Sequence, residues 1–159
     1  MEIAQLIARL VSAAPSTDAG IEQALDAILA ATETTCGTVH LLRADGVTLR
    51  LVVARQIPPP VIEKIQLIPL GKGMAGVAAE SKQPVTTCNL QTDDAGGVIR
   101  QGARATGVQG AVAIPLLHGD HAIGALGVAT REARDFTRAE IDRLLEIGRA
   151  LAQAVAGRP

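Results

Sequence analysis

The sequence predicts an α+β fold, a central and mainly antiparallel sheet with N- and C-terminal helices packed on one face. Three observations carry that reading. Gly110 to Arg131 reads as a β-hairpin, with apolar runs over residues 111–117 and 122–129 flanking the turn His118-Gly119-Asp120-His121. A second pair of strand-like runs, residues 36–43 and 47–54, is joined through Ala44-Asp45-Gly46, where Asp-Gly marks a tight turn. Amphipathic helical periodicity brackets both pairs. Hairpins make neighbouring strands antiparallel, and helices with one apolar stripe must bury it against a sheet face.

Taken in order, Ile3, Leu6, Ile7, Leu10 and Val11 recur at helical spacing and give a first helix ending near Pro15. Ser16-Thr17-Asp18 offers capping oxygens for a second, with Ile21, Leu25, Ile28 and Leu29 on one face. After the first hairpin, Pro58-Pro59-Pro60 stops strand pairing because proline has no N–H to donate. A short helix from Val61 and a short strand over residues 67–70 follow. Gly71-Lys72-Gly73 then introduces a helix over residues 74–80, and residues 84–88 form another short strand. Asn89 to Gly110 is rich in Gly, Asp, Thr and Gln, with a short helix expected over residues 98–105 and Gly107 stopping it. The last helix has a well-specified start. Thr137 and Glu140 form a capping box, Phe136 can staple onto Ile141, and Ile141, Leu144, Leu145, Gly148, Leu151, Ala152 and Val155 continue the apolar stripe.

Composition sets the limits. A chain of 159 residues, 48% hydrophobic and 19% charged, is one globular domain. It divides into N-terminal helices (1–34), a sheet region (36–131) and a C-terminal helix (137–156). The net charge of −1 is spread without a basic stripe, which argues against nucleic acid or a membrane surface as partner. No apolar run approaches the ~20 residues of a membrane-spanning helix, and no signal peptide is evident. Two cysteines make no disulfide framework, so the expected compartment is cytoplasmic. With no Trp, no Tyr and one Phe, any binding site is aliphatic and polar, without aromatic plates for stacking a flat ligand.

Five segments, in this order and spacing, resemble the GAF domain family across nearly the whole chain. They are Ile68-Pro69-Leu70-Gly71-Lys72-Gly73-Met74-Ala75-Gly76-Val77-Ala78, Gln83-Pro84-Val85, Ala113-Ile114-Pro115-Leu116, Ile123-Gly124-Ala125-Leu126-Gly127-Val128 and Phe136-Thr137-Arg138-Ala139-Glu140. The resemblance implies a PAS-like fold whose second sheet face carries a pocket covered by loops and a short helix. It also implies a sensory or regulatory module, commonly dimeric through its terminal helices. It names no ligand, because one fold hosts many functions.

Within that frame, the candidate ligand-facing residues are Cys88, Asn89, Asp93, Asp94, Arg100, Arg104 and Thr106 in the irregular middle, together with Met74 and His40. Arg100 and Arg104 stand four apart, so on a helix they share a face and could clamp one anionic group, or form a solvated surface pair. Cys88, at a strand end, is either a reactive thiol or a small buried hydrophobe, and Cys36 is structural. His40 alternates with Val39 and Leu41 and points to one sheet face beside Thr38. It is either a pocket or haem ligand, or a hydrogen-bonded strand histidine. His118 and His121 bracket a turn and are expected in solvent. No spacing matches a metal site, and the sequence requires no cofactor.

Several activities lack the residues they need. Gly71-Lys72-Gly73-Met74-Ala75-Gly76 fits G-x-G-x-x-G, but the following helix is too short and the sheet is not parallel, so a glycine turn explains it. The phosphodiesterase-type GAF signature is incomplete: Glu140-Ile141 replaces Asp-Glu after Phe136, and no Asn-Lys precedes it. Free methionine-R-sulfoxide reductases resemble this chain in fold but carry a cysteine where Ala75 stands and a second near residues 102–106, which contain none. Without a nucleophilic and a resolving thiol that route is closed. The expected function is a non-enzymatic sensor that binds a small molecule and signals through a helix-mediated homodimer. The alternative is a ligand-free dimerisation domain, and behind it stands a thiol enzyme like the free methionine-R-sulfoxide reductases, whose expected cysteines are missing here.

Overall fold

Both expected hairpins form, and the first and last strands of the chain meet side by side between them. A computed structural model describes residues 2–14, 17–87 and 109–157. The elements are α1 (Ile3–Ala13), α2 (Ala19–Ala31), β1 (Cys36–Leu42), β2 (Thr48–Arg55), α3 (Pro59–Lys64), β3 (Leu67–Pro69), α4 (Gly73–Ser81), β4 (Val85–Thr87), β5 (Gly110–His118), β6 (His121–Thr130) and α5 (Arg138–Ala156). The six strands run in the order β3-β2-β1-β6-β5-β4, and every pairing is antiparallel. The β1–β6 pair therefore holds the centre of the sheet.

Where the boundaries differ from expectation, backbone chemistry explains the shift. Helix α3 starts at Pro59 rather than Val61, because proline fits the first turn, whose amides have no intrahelical acceptor. The second hairpin is tighter than expected. His118 and His121 are its last paired residues, which leaves a two-residue turn with Gly119 at φ +63°. The first hairpin is held by Asp45, whose Oδ1 accepts from the Val47 and Thr48 amides at 2.9 and 3.0 Å. Asp18 makes no side-chain cap on α2; instead Thr17 Oγ1 accepts from the Ala19 amide at 3.3 Å.

One sheet face is covered by α1, α2 and α5. Val39, Leu126, Val128, Val112 and Ile114 point into it and meet Ile7, Val11, Leu25, Ile28, Leu144 and Leu151 in a single apolar core. The start of α5 is fixed by the expected capping box, with Thr137 accepting from the Glu140 amide and Glu140 accepting from the Thr137 amide. Those bonds, with Arg134 beside it, hold the Glu140 carboxyl below the usual carboxylate range. Arg134 also donates to the carbonyls of Glu33 (3.0 Å) and Thr32 (3.4 Å) and stacks on Phe136 at 4.4 Å. Arg143 donates to the carbonyl of Ala31 at 3.0 Å, so two guanidinium groups fasten the carboxyl end of α2 to α5. On the opposite sheet face lies α4, with Ala75 and Ala79 packed on Leu49, Ile68 and Ala125.

Candidate functional site

The two faces of the sheet differ in side-chain size, and the difference builds the site. Along β5 the sequence alternates Ala111, Val112, Ala113, Ile114; along β6 it alternates Ala125, Leu126, Gly127, Val128, Ala129. The large members belong to the core beneath α1, α2 and α5. The small ones therefore face α4, since successive residues of a strand point to opposite sides.

Strand register aligns these small residues in rows across the sheet. One row runs Ala54, Thr38, Gly127, Ala113 through β2, β1, β6 and β5. The next runs Cys36, Ala129, Ala111, Thr87. Thr38 and Gly127, paired at the middle of the two central strands, are only partly buried. A Cβ at Gly127 would stand 2.9 Å from Thr38 Oγ1, so any side chain there would push on the hydroxyl and occupy the space above it. The result is a shallow aliphatic floor with one hydroxyl at its centre and the glycine-led N-terminus of α4 beside it. Met74, in the first turn of α4, packs against Cys36, Ala111 and Ala129 at one edge.

His40 stands on the same face, one alternate position from Thr38 and paired with Ala125 of β6. It is 1% exposed. Its Nε2 lies 2.9 Å from the carbonyl oxygen of Ile65, at the end of α3. A carbonyl only accepts, so Nε2 carries the hydrogen and Nδ1 carries the lone pair. Burial pushes the His40 pKa down, which keeps the ring neutral. Nδ1 is buried and has no hydrogen-bond partner among the described residues.

The expected site residues thus divide. His40 and Met74 come together on the α4 side of the sheet. Cys88, Asn89, Asp93, Asp94, Arg100, Arg104 and Thr106 lie outside the described residues, as does the short helix expected over 98–105. Cys36 is fully buried, in keeping with a structural role. His118 and His121 are exposed at the hairpin turn. Among the described residues no group of three or more His, Cys, Asp and Glu is placed to hold a metal ion. Thr38, Gly127, Ala113 and Ala54 were not singled out from sequence. The strict small–large alternation of β5 and β6 is the signal that marks Ala113 and Gly127, once the strands are known.

A second concavity, of about 260 Å³, lies between the end of α2 and the start of α5. Arg134 and Arg143 line it, engaged with the carbonyls of Glu33 and Thr32 just past α2 and of Ala31 at its end, so it belongs to the helix clamp described above.

The glycine turn before α4 is no dinucleotide site. The helix that follows it spans nine residues, and the strand before it pairs antiparallel, so the parallel crossover that such a motif needs is not present there.

An antiparallel sheet with a helical layer on one side and a short helix over a small-residue floor on the other defines a PAS-like α+β domain. The chain belongs to the GAF domain family, whose model matches residues 16–156. Solved structures of similar fold include the GAF domain of a phosphoenolpyruvate-protein phosphotransferase from Coxiella burnetii (TM-score 0.78, 16% identity, covering 97% of this chain and 90% of that one). The corresponding domain from Acinetobacter gives a TM-score of 0.73 at 15% identity, covering 98% and 95%. Free methionine-R-sulfoxide reductase from Neisseria meningitidis, in complex with its substrate, gives 0.77 at 17% identity, covering 98% and 87%. A comparison with curated proteins returned no significant match. Among the described residues no helix is long and apolar enough to cross a membrane.

Proposed function

We propose that this GAF domain is a non-enzymatic, cytoplasmic sensory module that binds a small molecule on the α4 side of its sheet. It signals through its terminal helices in a homodimer. The observation that supports this reading is the floor of small residues centred on the Thr38–Gly127 pair. Sheet faces that only need filling carry Val, Leu and Ile, as the opposite face does. Beside the α4 contact, the Thr38 and Cys36 rows of this face carry only Ala, Gly, Thr and Cys, which leaves depth for a ligand. The route to an output is also in place. Strands β5 and β6, which supply much of the floor, carry α5 on their other side, and α5 packs beside α1.

The cysteine inventory supports the non-enzymatic reading over sulfoxide reduction. Ala75 stands where the family resemblance places one reductase cysteine, and Cys36 is buried against Met74. A buried thiol in apolar surroundings is a poor nucleophile.

Native mass spectrometry of freshly purified protein tests the proposal. A retained small molecule is expected, and it should be lost in Gly127→Leu, whose side chain fills the floor. A clean apo protein, with no thermal shift across a metabolite library, would sink the sensor in favour of a ligand-free dimerisation domain. Turnover of free methionine sulfoxide would overturn the non-enzymatic assignment.

A further inference from the structure

We infer that His40 is the polar anchor of this site, its Nδ1 accepting a hydrogen bond from an N–H or O–H group of the bound molecule. The inference rests on the small-molecule reading above and specifies what that molecule must carry.

A buried polar atom without a partner is costly, and native proteins keep such atoms where a function needs them. His40 meets that description in a particular way. The Ile65 carbonyl fixes the Nε2–H tautomer, so the remaining ring nitrogen can only accept. The ring is buried and its Nε2 is hydrogen-bonded to the Ile65 carbonyl at 2.9 Å, which pre-orders the acceptor before anything binds. It lies on the floor face, about 7 Å along β1 from Thr38, the spacing of alternate strand residues. A ligand resting on the Thr38–Gly127 pair has the imidazole one alternate strand position away on the same face.

The same lone pair could take a metal ion. A structural metal needs about four protein ligands and a catalytic one about three. Among the described residues no such cluster forms beside His40. The floor adds a second constraint, since it offers methyl groups and no aromatic plate. The ligand class is a compact, largely aliphatic molecule with an amide, imide or hydroxyl donor.

The test uses the full chain labelled with ¹⁵N-histidine and bearing H118Q and H121Q, two exposed turn substitutions that leave His40 as the sole histidine. Succinimide, which has one N–H donor, is titrated against N-methylsuccinimide, which has none. Backbone amides of Thr38, Ala125 and Gly127 report entry of either probe. The Nδ1 resonance reports hydrogen bonding to His40. The expected result is an Nε2–H tautomer in the free protein and a saturable Nδ1 shift with succinimide alone. Affinity for the methylated probe should be lower by about tenfold, the order of one hydrogen bond to a buried acceptor. If both probes move the floor amides equally and Nδ1 stays fixed, the anchor role is overturned while the small-molecule site stands. If neither probe moves any of these signals, both fail.

Discussion

At the scale of single residues, His40 combines two requirements that pull in different directions. Its backbone sits in the central strand, where burial is complete, yet its side chain is ionisable. Desolvation resolves the conflict by lowering the pKa from 6.5, so the folded protein keeps the ring neutral. The linkage has a definite sign. Below 6.5 the unfolded chain binds a proton that the folded chain resists, so stability is fully present above that value and is lost as pH falls toward the depressed folded pKa. Urea unfolding followed by circular dichroism should therefore show declining stability from pH 7 toward pH 5, and His40→Gln should flatten that decline. An unchanged slope in the variant would assign the pH dependence to other groups. Intrinsic fluorescence cannot serve here, because the chain has no Trp or Tyr.

At the scale of elements, the helices are fixed by local chemistry and by close approach. The capping box on α5 satisfies two amides that would otherwise lack acceptors. Thr137→Ala should cost about 1 kcal/mol in chemical denaturation, with the sheet unaffected. The α1–α2 contact depends on a missing side chain. A Cβ at Gly20 would stand 2.8 Å from Val11 Cα and would overlap the Leu10 carbonyl oxygen. Gly20→Val should destabilise the domain by roughly 1–3 kcal/mol through overpacking, measured as a lowered denaturation midpoint. All three helices were legible in the sequence because their signals lie within a few residues: apolar spacing for α1 and α2, and Thr137 with Glu140 for α5. The exact hairpin turn was not. Whether His118 and His121 pair or loop out depends on how β5 and β6 register, and the register includes an irregularity between Leu116 and Leu117.

At the scale of the whole molecule, the asymmetry of the sheet organises everything else. One face is filled by Val, Leu and Ile against three helices, and the other carries rows of small residues beside the seat of α4. Helix α1 keeps Leu6 and Leu10 only partly buried, alongside a C-terminal helix that does the same with Leu145 and Val155. The proposed homodimer would bury these stripes. Light scattering should then report a dimer, shifted to monomer by the pair Leu6→Glu and Leu10→Glu. A monomer at every concentration would contradict dimer signalling while leaving the binding site untouched.

Taken alone, the sequence determined the fold class, the two hairpins, the capping of α5 and the family, because each rests on short-range patterns or on motifs in fixed order. It also placed His40 on one sheet face by strand alternation. It could not show that Thr38, Gly127, Ala113 and Ala54, from four different strands, form one row. That row exists only because β1 and β6, more than eighty positions apart in the chain, pair at the centre of the sheet. Nor could it show that the Ile65 carbonyl, twenty-five residues from His40, fixes the imidazole tautomer. Periodicity reports which way a side chain points. Only long-range pairing decides which other side chains it meets, and in this protein the candidate site is made entirely of such meetings.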